Sequence, residues 1–228
     1  MVGKVYKIAE PNPSKDLIEK VSGQYSTILA DPPWQFSNRT GKVAPEHRRL
    51  LRYPTMELKE IMDLPVSRLA AAKSHLYLWV PNALLMEGLR VMEAWGFTYK
   101  TNLVWYKVRK DGGPDGRGVG FYFRNVTELI LFGVRGSMRT LPPGRTRVNL
   151  FSTRKREHSR KPDEIYSIIE ECSPGPYLEL FARFSQAGWY QWGNEDVEEN
   201  SLCGVAKRNA HTDGQLRLFD SPKGYKAS

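Results

Sequence analysis

Cysteine is scarce. Cys172 and Cys203 are the two in 228 residues, too few for a disulfide framework or a cysteine metal site. The four histidines, His47, His75, His158 and His211, fall at no metal-ligand spacing. No apolar run reaches about 18 residues, which argues against a membrane-spanning helix. The opening Met1-Val-Gly-Lys-Val-Tyr6 has no signal-peptide core. No Ser/His/Asp or Cys/His constellation suggests nucleophilic catalysis. Five glycines crowd 111–120, yet Gly118-Val-Gly120 lacks the third glycine of a dinucleotide fingerprint, and neither a Walker motif nor an internal repeat occurs. The expectation is an intracellular, metal-free protein with no membrane partner, in which His75 is a plain strand residue and Cys172 belongs to the core.

Hydrophobic residues make up 40% of the chain, which fits one α/β domain with a full core. Residues 1–195 are assigned to that domain and 196–228 to a polar tail. The formal charge is +9, and its location is informative. The tail balances five Lys/Arg against five Asp/Glu, so the excess lies upstream. Residues 39–52 carry Arg39, Lys42, Arg48, Arg49 and Arg52 against Glu46, with His47 among them. Residues 135–161 carry nine Lys/Arg against Glu157 alone, including Arg154, Lys155, Arg156 and Arg160. One basic run is usually a solvated face; two that bracket a site point to a phosphate backbone.

That site is Asp31-Pro32-Pro33-Trp34, reached through the short apolar run Tyr25–Ala30. The run reads as a buried strand, and two prolines cannot continue a ladder, so the strand ends at the acid. In open α/β sheets ligands bind at this carboxyl edge. The tetrad suits methyl transfer to an exocyclic amine. Adenine's amino group is a poor nucleophile because its lone pair is delocalised into the ring. Asp31 and the Pro32 carbonyl can hold both amine hydrogens and favour the pyramidal geometry that frees the lone pair, with the prolines fixing the backbone beforehand. Trp34 offers a flat face for an unstacked base. The competing interpretation is a Pro-Pro turn with Trp34 as core filler.

The pattern along the chain alternates strands and helices, which predicts a mostly parallel, doubly wound sheet. Strands are expected at Val5–Ala9, His75–Val80, Phe97–Val108, Val126–Val134, Val148–Ser152, Tyr177–Phe181 and Trp189–Trp192. Helices are expected at Lys15–Val21, from a Thr55 cap towards Ala72 with a kink at Pro65, at Ala83–Trp95 behind an Asn82 cap, and after Pro162. Residues 35–54 form a long loop, and loops of that length are usually functional.

Several pieces in this order resemble one family. They are Asp31-Pro-Pro-Trp34, Tyr53-Pro-Thr-Met56, His75-Leu-Tyr-Leu-Trp-Val80, Ser159-Arg-Lys-Pro-Asp-Glu-Ile-Tyr166, Glu179-Leu-Phe-Ala-Arg183 and Gly193-Asn-Glu195. Together they resemble the MT-A70 adenine amino-methyltransferases, over about Tyr25 to Glu195. The resemblance implies a Rossmann-like fold, dependent on S-adenosylmethionine, in which the catalytic motif precedes the cofactor motif. It implies that Asp31, Lys161, Arg183, Phe184, Ser185, Gln186, Asn194 and Glu195 border the cofactor and that Tyr53 lies beside the target base. This chain has Ser185, Gln186 and Glu195 where eukaryotic members usually have His, Asn and Gln. Relatives often pair, so a homodimer is an option.

The expected activity is transfer of a methyl group to the 6-amino group of adenine in nucleic acid. DNA is preferred because the chain has the compact build of bacterial and phage members. RNA is the alternative substrate, and a catalytically inactive nucleic-acid-binding scaffold the alternative of another class. In the tail, Gln215-Leu-Arg-Leu-Phe219 resembles the peptide by which bacterial proteins dock onto the sliding clamp, with Gln215, Leu218 and Phe219 as contacts. That places the protein in the cytoplasm of a bacterial cell or a phage-infected host.

Overall fold

The computed structural model describes residues 5–7 by their backbone, and 12–35, 55–116, 122–154 and 161–193 in full. Eight strands make one sheet: β1 (Val5–Lys7), β2 (Tyr25–Ala30), β3 (Ala70–Val80), β4 (Thr98–Val108), β5 (Thr127–Arg135), β6 (Leu150–Arg154), β7 (Tyr177–Leu180) and β8 (Trp189–Gly193). Their spatial order is β1-β8-β7-β2-β3-β5-β4-β6. Five of the seven pairings are parallel, and the two made by β5 are antiparallel. The fold is a Rossmann-like α/β sheet, mostly parallel as expected, with β5 as its reversed strand.

Alternation along the strands sends side chains to two cores. Ile28 and Ala30 of β2, with Leu76, Leu78 and Val80 of β3, face one side. They meet helices α1 (Pro13–Lys20), α2 (Leu58–Met62), α3 (Val66–Leu69) and α4 (Leu85–Ala94) through Leu17, Ile61, Val66, Leu69, Val91 and Met92. Leu29, Tyr77 and Trp79 face the other side and pack with Ile165 and Ile169 of α5 (Glu164–Cys172). The spacing of Ile165, Ile168, Ile169 and Cys172 buries one stripe of α5, as periodicity predicts. Covering both faces is what makes the sheet doubly wound.

Local chemistry sets several boundaries. Asn12 caps α1, its Oδ1 accepting from the N–H groups of Ser14 and Lys15 at 3.1 and 3.2 Å. The fully buried Asp16 then accepts from the Trp192 indole at 2.8 Å, pinning α1 to β8. The expected helix from Thr55 to Ala72 is instead two short helices separated at Pro65, and Ala70–Ala72 already belongs to β3. Its start is set by Glu57, whose N–H donates to Glu60 at 2.8 Å, rather than by Thr55. Asn82 does not cap α4. It sits in a 3₁₀ turn, and its Nδ2 donates to the carbonyl and hydroxyl of Thr127 at 3.2 and 3.1 Å, so α4 begins at Leu85. Among the described residues no helix is long and apolar enough to cross a membrane.

A buried polar chain locks α5 to β3 below the site. His75 Nε2 donates to the Met138 carbonyl at 3.2 Å, so Nδ1 is the acceptor for the Ser173 hydroxyl at 2.8 Å. Ser173 in turn accepts from Tyr77 at 2.7 Å. Every proton has a place only while His75 is neutral, and burial holds its pKa below the ordinary 6.5. The unfolded chain therefore binds a proton more readily, and the stability present above pH 6.5 is lost as pH falls through the depressed value. His75→Gln keeps one acceptor and one donor but does not titrate. The stability difference between wild type and this variant should narrow as pH drops from 6.5 towards 5, measured by thermal melts across that range.

Candidate active site

β2 lies between β7 and β3, and the chain runs on from β2 to β3 on one side and from β7 to β8 on the other. Such a switch point opens a crevice beyond the strand's carboxyl end. Asp31 stands there, its N–H reaching back to the Leu180 carbonyl at 3.4 Å. The two prolines turn the chain sharply: the Trp34 N–H donates to the Pro32 carbonyl at 2.8 Å, and the Met56 N–H donates to the Pro33 carbonyl at 2.9 Å. The long loop thus leaves and returns at the tetrad. Trp34 itself is only 6% exposed, and its indole N–H donates to the Trp79 carbonyl at 2.9 Å. The ring expected to receive a base is an anchor of the turn instead. An indole flanking a proline pair packs well on the core, and its single N–H finds a strand carbonyl there.

Lys161 organises the charges. Its Nζ lies 3.3 Å from Asp31 and 2.9 Å from Glu128, and 4.5 Å above the Trp79 ring. Glu128 is held from its other side by Lys107 at 2.5 Å. Burial pushes the Asp31 carboxyl above its ordinary value, while Lys161 and Arg183 pull it back. Burial also opposes the charge on Lys161, but Asp31 and Glu128 outweigh it and its pKa rises. Burial works against ionised Glu128 as well; Lys161 and Lys107 prevail and bring its pKa to about 2. The group is a row of alternating acids and bases, Lys107, Glu128, Lys161 and Asp31, that ends at the switch point.

Beside it a cavity of about 260 Å³ opens between β2, α5 and the turn after β7. Leu29, Trp79, Ile165 and Phe181 give it apolar walls, and Asp31, Lys161, Tyr166, Glu179 and Arg183 give it polar ones. Glu179 accepts from the Tyr166 hydroxyl at 3.1 and 3.0 Å and from the Gln191 amide at 2.5 Å. Gln191 is fully buried and clamps the next turn: its Nε2 donates to the Phe184 carbonyl at 2.7 Å, and its Oε1 accepts from the Gln186 N–H at 2.7 Å. Phe181 holds φ at 66°, a left-handed conformation that costs a bulky residue roughly 1–3 kcal/mol. The surroundings enforce it. Ala182 donates to the Trp192 carbonyl at 3.0 Å, and a Cβ on Gly193 would meet the Ala182 carbonyl at 1.9 Å. Only glycine permits that approach.

A sequence profile of the MT-A70 family matches residues 25–195. The chain belongs to the MT-A70 family. It is 28% identical to the type II methyltransferase M.MunI of a Mycoplasma species, over 87% of this chain and 89% of that protein. A putative MT-A70-like N(6)-adenosine-methyltransferase of Medicago truncatula is 29% identical over 77% of this chain. The human N(6)-adenosine-methyltransferase catalytic subunit METTL3 is 26% identical over 77% of it. The chain spans 27% and 29% of those two longer proteins.

Of the residues picked from the sequence, Asp31, Lys161, Arg183, Phe184, Ser185 and Gln186 all line the cavity. Arg154 is exposed at the carboxyl end of β6, the same edge of the sheet. Tyr53, Asn194, Glu195, Arg39, Lys42, His47, Arg48, Arg49, Arg52, Lys155, Arg156, Arg160, Gln215, Leu218 and Phe219 lie outside the described residues. Glu128 and Gln191 were not picked out. Each left a trace: Glu128 is a lone acid in an apolar strand, and Gln191 an amide between Tyr190 and Trp192. Among the described residues no group of His, Cys, Asp and Glu could hold a metal ion.

Burial raises the Glu179 pKa to about 7, against the pull of the Gln191 and Tyr166 hydrogen bonds, and Asp31 adds to the rise. Its contribution to stability is fully present below the ordinary 4.5 and is lost as pH rises through about 7. Glu179→Gln should therefore melt about 2–4 °C above wild type at pH 8, with the gain absent at pH 4. Differential scanning fluorimetry at the two pH values checks it.

Proposed function

We propose that this chain uses S-adenosylmethionine to methylate the 6-amino group of adenine in DNA. The observation that carries the reading is Asp31 at the switch point, paired with Lys161 and open to the cavity. The donor set of that cavity fits the cofactor. An ammonium (Lys161) suits its carboxylate, a buried carboxylate (Glu179) suits its ribose hydroxyls, and Leu29, Ile165 and Phe181 suit its apolar parts. Arg183, Phe184, Ser185 and Gln186 would complete its border, with Asn194 and Glu195 assigned by resemblance. When bound, S-adenosylmethionine supplies a methyl group activated on a cationic sulfur.

The protein's own part is to hold the amine. Asp31 accepts hydrogen bonds from the adenine amino group and draws its lone pair out of the ring. The second lone pair of the Pro32 carbonyl remains for the other hydrogen, the first being taken by the Trp34 N–H. Lys161 favours the charged form of Asp31 against its burial, and Glu128 keeps Lys161 in place. Tyr53 is assigned beside the base. DNA is preferred to RNA on the similarity to a type II methyltransferase, which this chain matches along 89% of that protein. The basic residues of 39–52 and 154–160 are assigned to the phosphate backbone, and pairing of two copies is assigned by resemblance alone. Residues 196–228 are assigned as a tail whose Gln215–Phe219 segment docks on a bacterial sliding clamp, which would concentrate the enzyme on new DNA. A bacterial or phage-infected cytoplasm follows from that assignment.

Incubating the protein with cofactor and unmodified DNA or RNA, then separating nucleosides by mass, should give N6-methyladenine in DNA. Asp31→Ala should lower the rate on the order of a hundredfold or more while the melting curve and polymer affinity hold; near-wild-type turnover would remove Asp31 from the chemistry. The acid limb of kcat/KM should lie above 3.8 and move to higher pH in Lys161→Met, because the cation that favours the ionised acid is gone. A peptide of residues 209–224 should bind purified clamp with a Kd on the order of micromolar, and Leu218→Ala with Phe219→Ala should abolish it.

A further inference from the structure

An adenine reaches Asp31 only by leaving its stack, and the bases beside it then lose a neighbour. Trp34 cannot replace that neighbour, being buried and hydrogen-bonded to Trp79. Two other rings stand exposed just before β5. Tyr122 is 96% exposed and Phe123 85%, while no other large hydrophobic among the described residues exceeds the 63% of Met86. Consecutive rings that are both in water mean a segment standing clear of the protein.

That segment projects from the ligand edge of the sheet. It runs straight into β5, where the Val126 carbonyl accepts from the Lys107 N–H at 2.8 Å. Two residues on, Glu128 grips Lys161, which grips Asp31. The loop is tied by Arg124, whose guanidinium donates to the Gly116 carbonyl at 3.0 Å, a contact that leaves its charge uncancelled. Lys110 and Arg124 are exposed on the same loop. In sequence the run is Phe121-Tyr122-Phe123-Arg124. Rings accept the π-face of any base, and a neighbouring cation accepts phosphate, the combination used by strand-binding grooves. Exposed aromatic rings of this kind mark a surface that something covers.

We propose that Tyr122 and Phe123 stack on the DNA bases flanking the target adenine and hold the opened stack while the adenine occupies the cavity. This rests on the adenine-methyltransferase reading. The contact is apolar and so has its own signature: it should change affinity without changing the dependence on salt, whereas a lost phosphate contact flattens that dependence.

The test uses the full chain with random-sequence DNA, single-stranded and duplex, by fluorescence anisotropy over a range of salt. Tyr122→Ala with Phe123→Ala should weaken DNA binding about tenfold or more. The salt slope and the calorimetric Kd for S-adenosylmethionine should stay as in wild type. Tyr122→Trp with Phe123→Trp should restore binding. DNA carrying 5-iodouracil should cross-link to the peptide containing these two residues. Unchanged DNA affinity in the alanine variant overturns the assignment. So does a dimer that the alanine pair converts to monomer on sedimentation, which would make the rings a protein contact. If wild type methylates DNA while the variant binds it normally, only the stacking role falls. If wild type neither binds nor methylates nucleic acid, the enzymatic reading falls first.

Discussion

One ammonium group, that of Lys161, joins the parts of this site. It draws on three segments remote in sequence: Asp31 after β2, Glu128 in β5, and the approach to α5 that carries Lys161 itself. All three side chains are about three-quarters buried, with exposures of 28%, 22% and 25% for Lys161, Asp31 and Glu128. In such surroundings an unmatched charge is costly, and a pair is tolerated when its hydrogen bonds are complete. Two carboxylates and the face of Trp79 complete them here. Without the cation, Asp31 and Glu128 would be two acids repelling each other in a poorly solvated crevice. The row is therefore a condition for an ionised Asp31 as much as a consequence of the fold.

The Glu179 side of the cavity illustrates a different economy. Glu179 sits where burial makes it reluctant to ionise, and Phe181 sits in a backbone conformation that bulky residues avoid. Neither would persist alone. Gln191 fills a buried position with an amide that satisfies three polar groups at once, and Gly193 lets two backbones touch. Order in the Phe184–Gln186 turn is thus bought from a strand, β8, that contributes no atom to the cavity wall. Such arrangements cost stability locally and give a preformed surface in return.

Much of this was legible in the chain because it depends on short-range rules. Prolines 32 and 33 end a strand wherever they occur, and the apolar spacing of Ile165, Ile168, Ile169 and Cys172 admits one buried face. Of the six cavity residues, Asp31, Lys161 and Arg183 sit within the family-like motifs, and Phe184, Ser185 and Gln186 directly follow one of them. Thr55 loses its capping role for a local reason, the Glu57–Glu60 capping pair two residues on. Two other readings failed because a side chain had a better partner far away in sequence: Asn82 prefers Thr127 to its own helix, and Trp34 finds Trp79 rather than open solvent. Glu128 and Gln191 escaped notice likewise, since their value comes from strands 33 and 12 positions away from their partners Lys161 and Glu179. Local patterns predict elements; long-range hydrogen bonds decide which residues of those elements matter.

The reversal of β5 divides the molecule by task. Because β5 runs against its neighbours, the turn between β4 and β5 emerges at the same edge as Asp31, whereas a parallel strand would need a crossover and send its connection over a face. The cavity beside β2 and β7 lies towards one side of that edge, and the hairpin lies on the other. A hairpin turn can grow, shrink or change composition without altering the register of its strands beyond the first pairs. What stands at that turn can thereby vary on this scaffold while the strand ends that hold Asp31 and Glu179 keep their places.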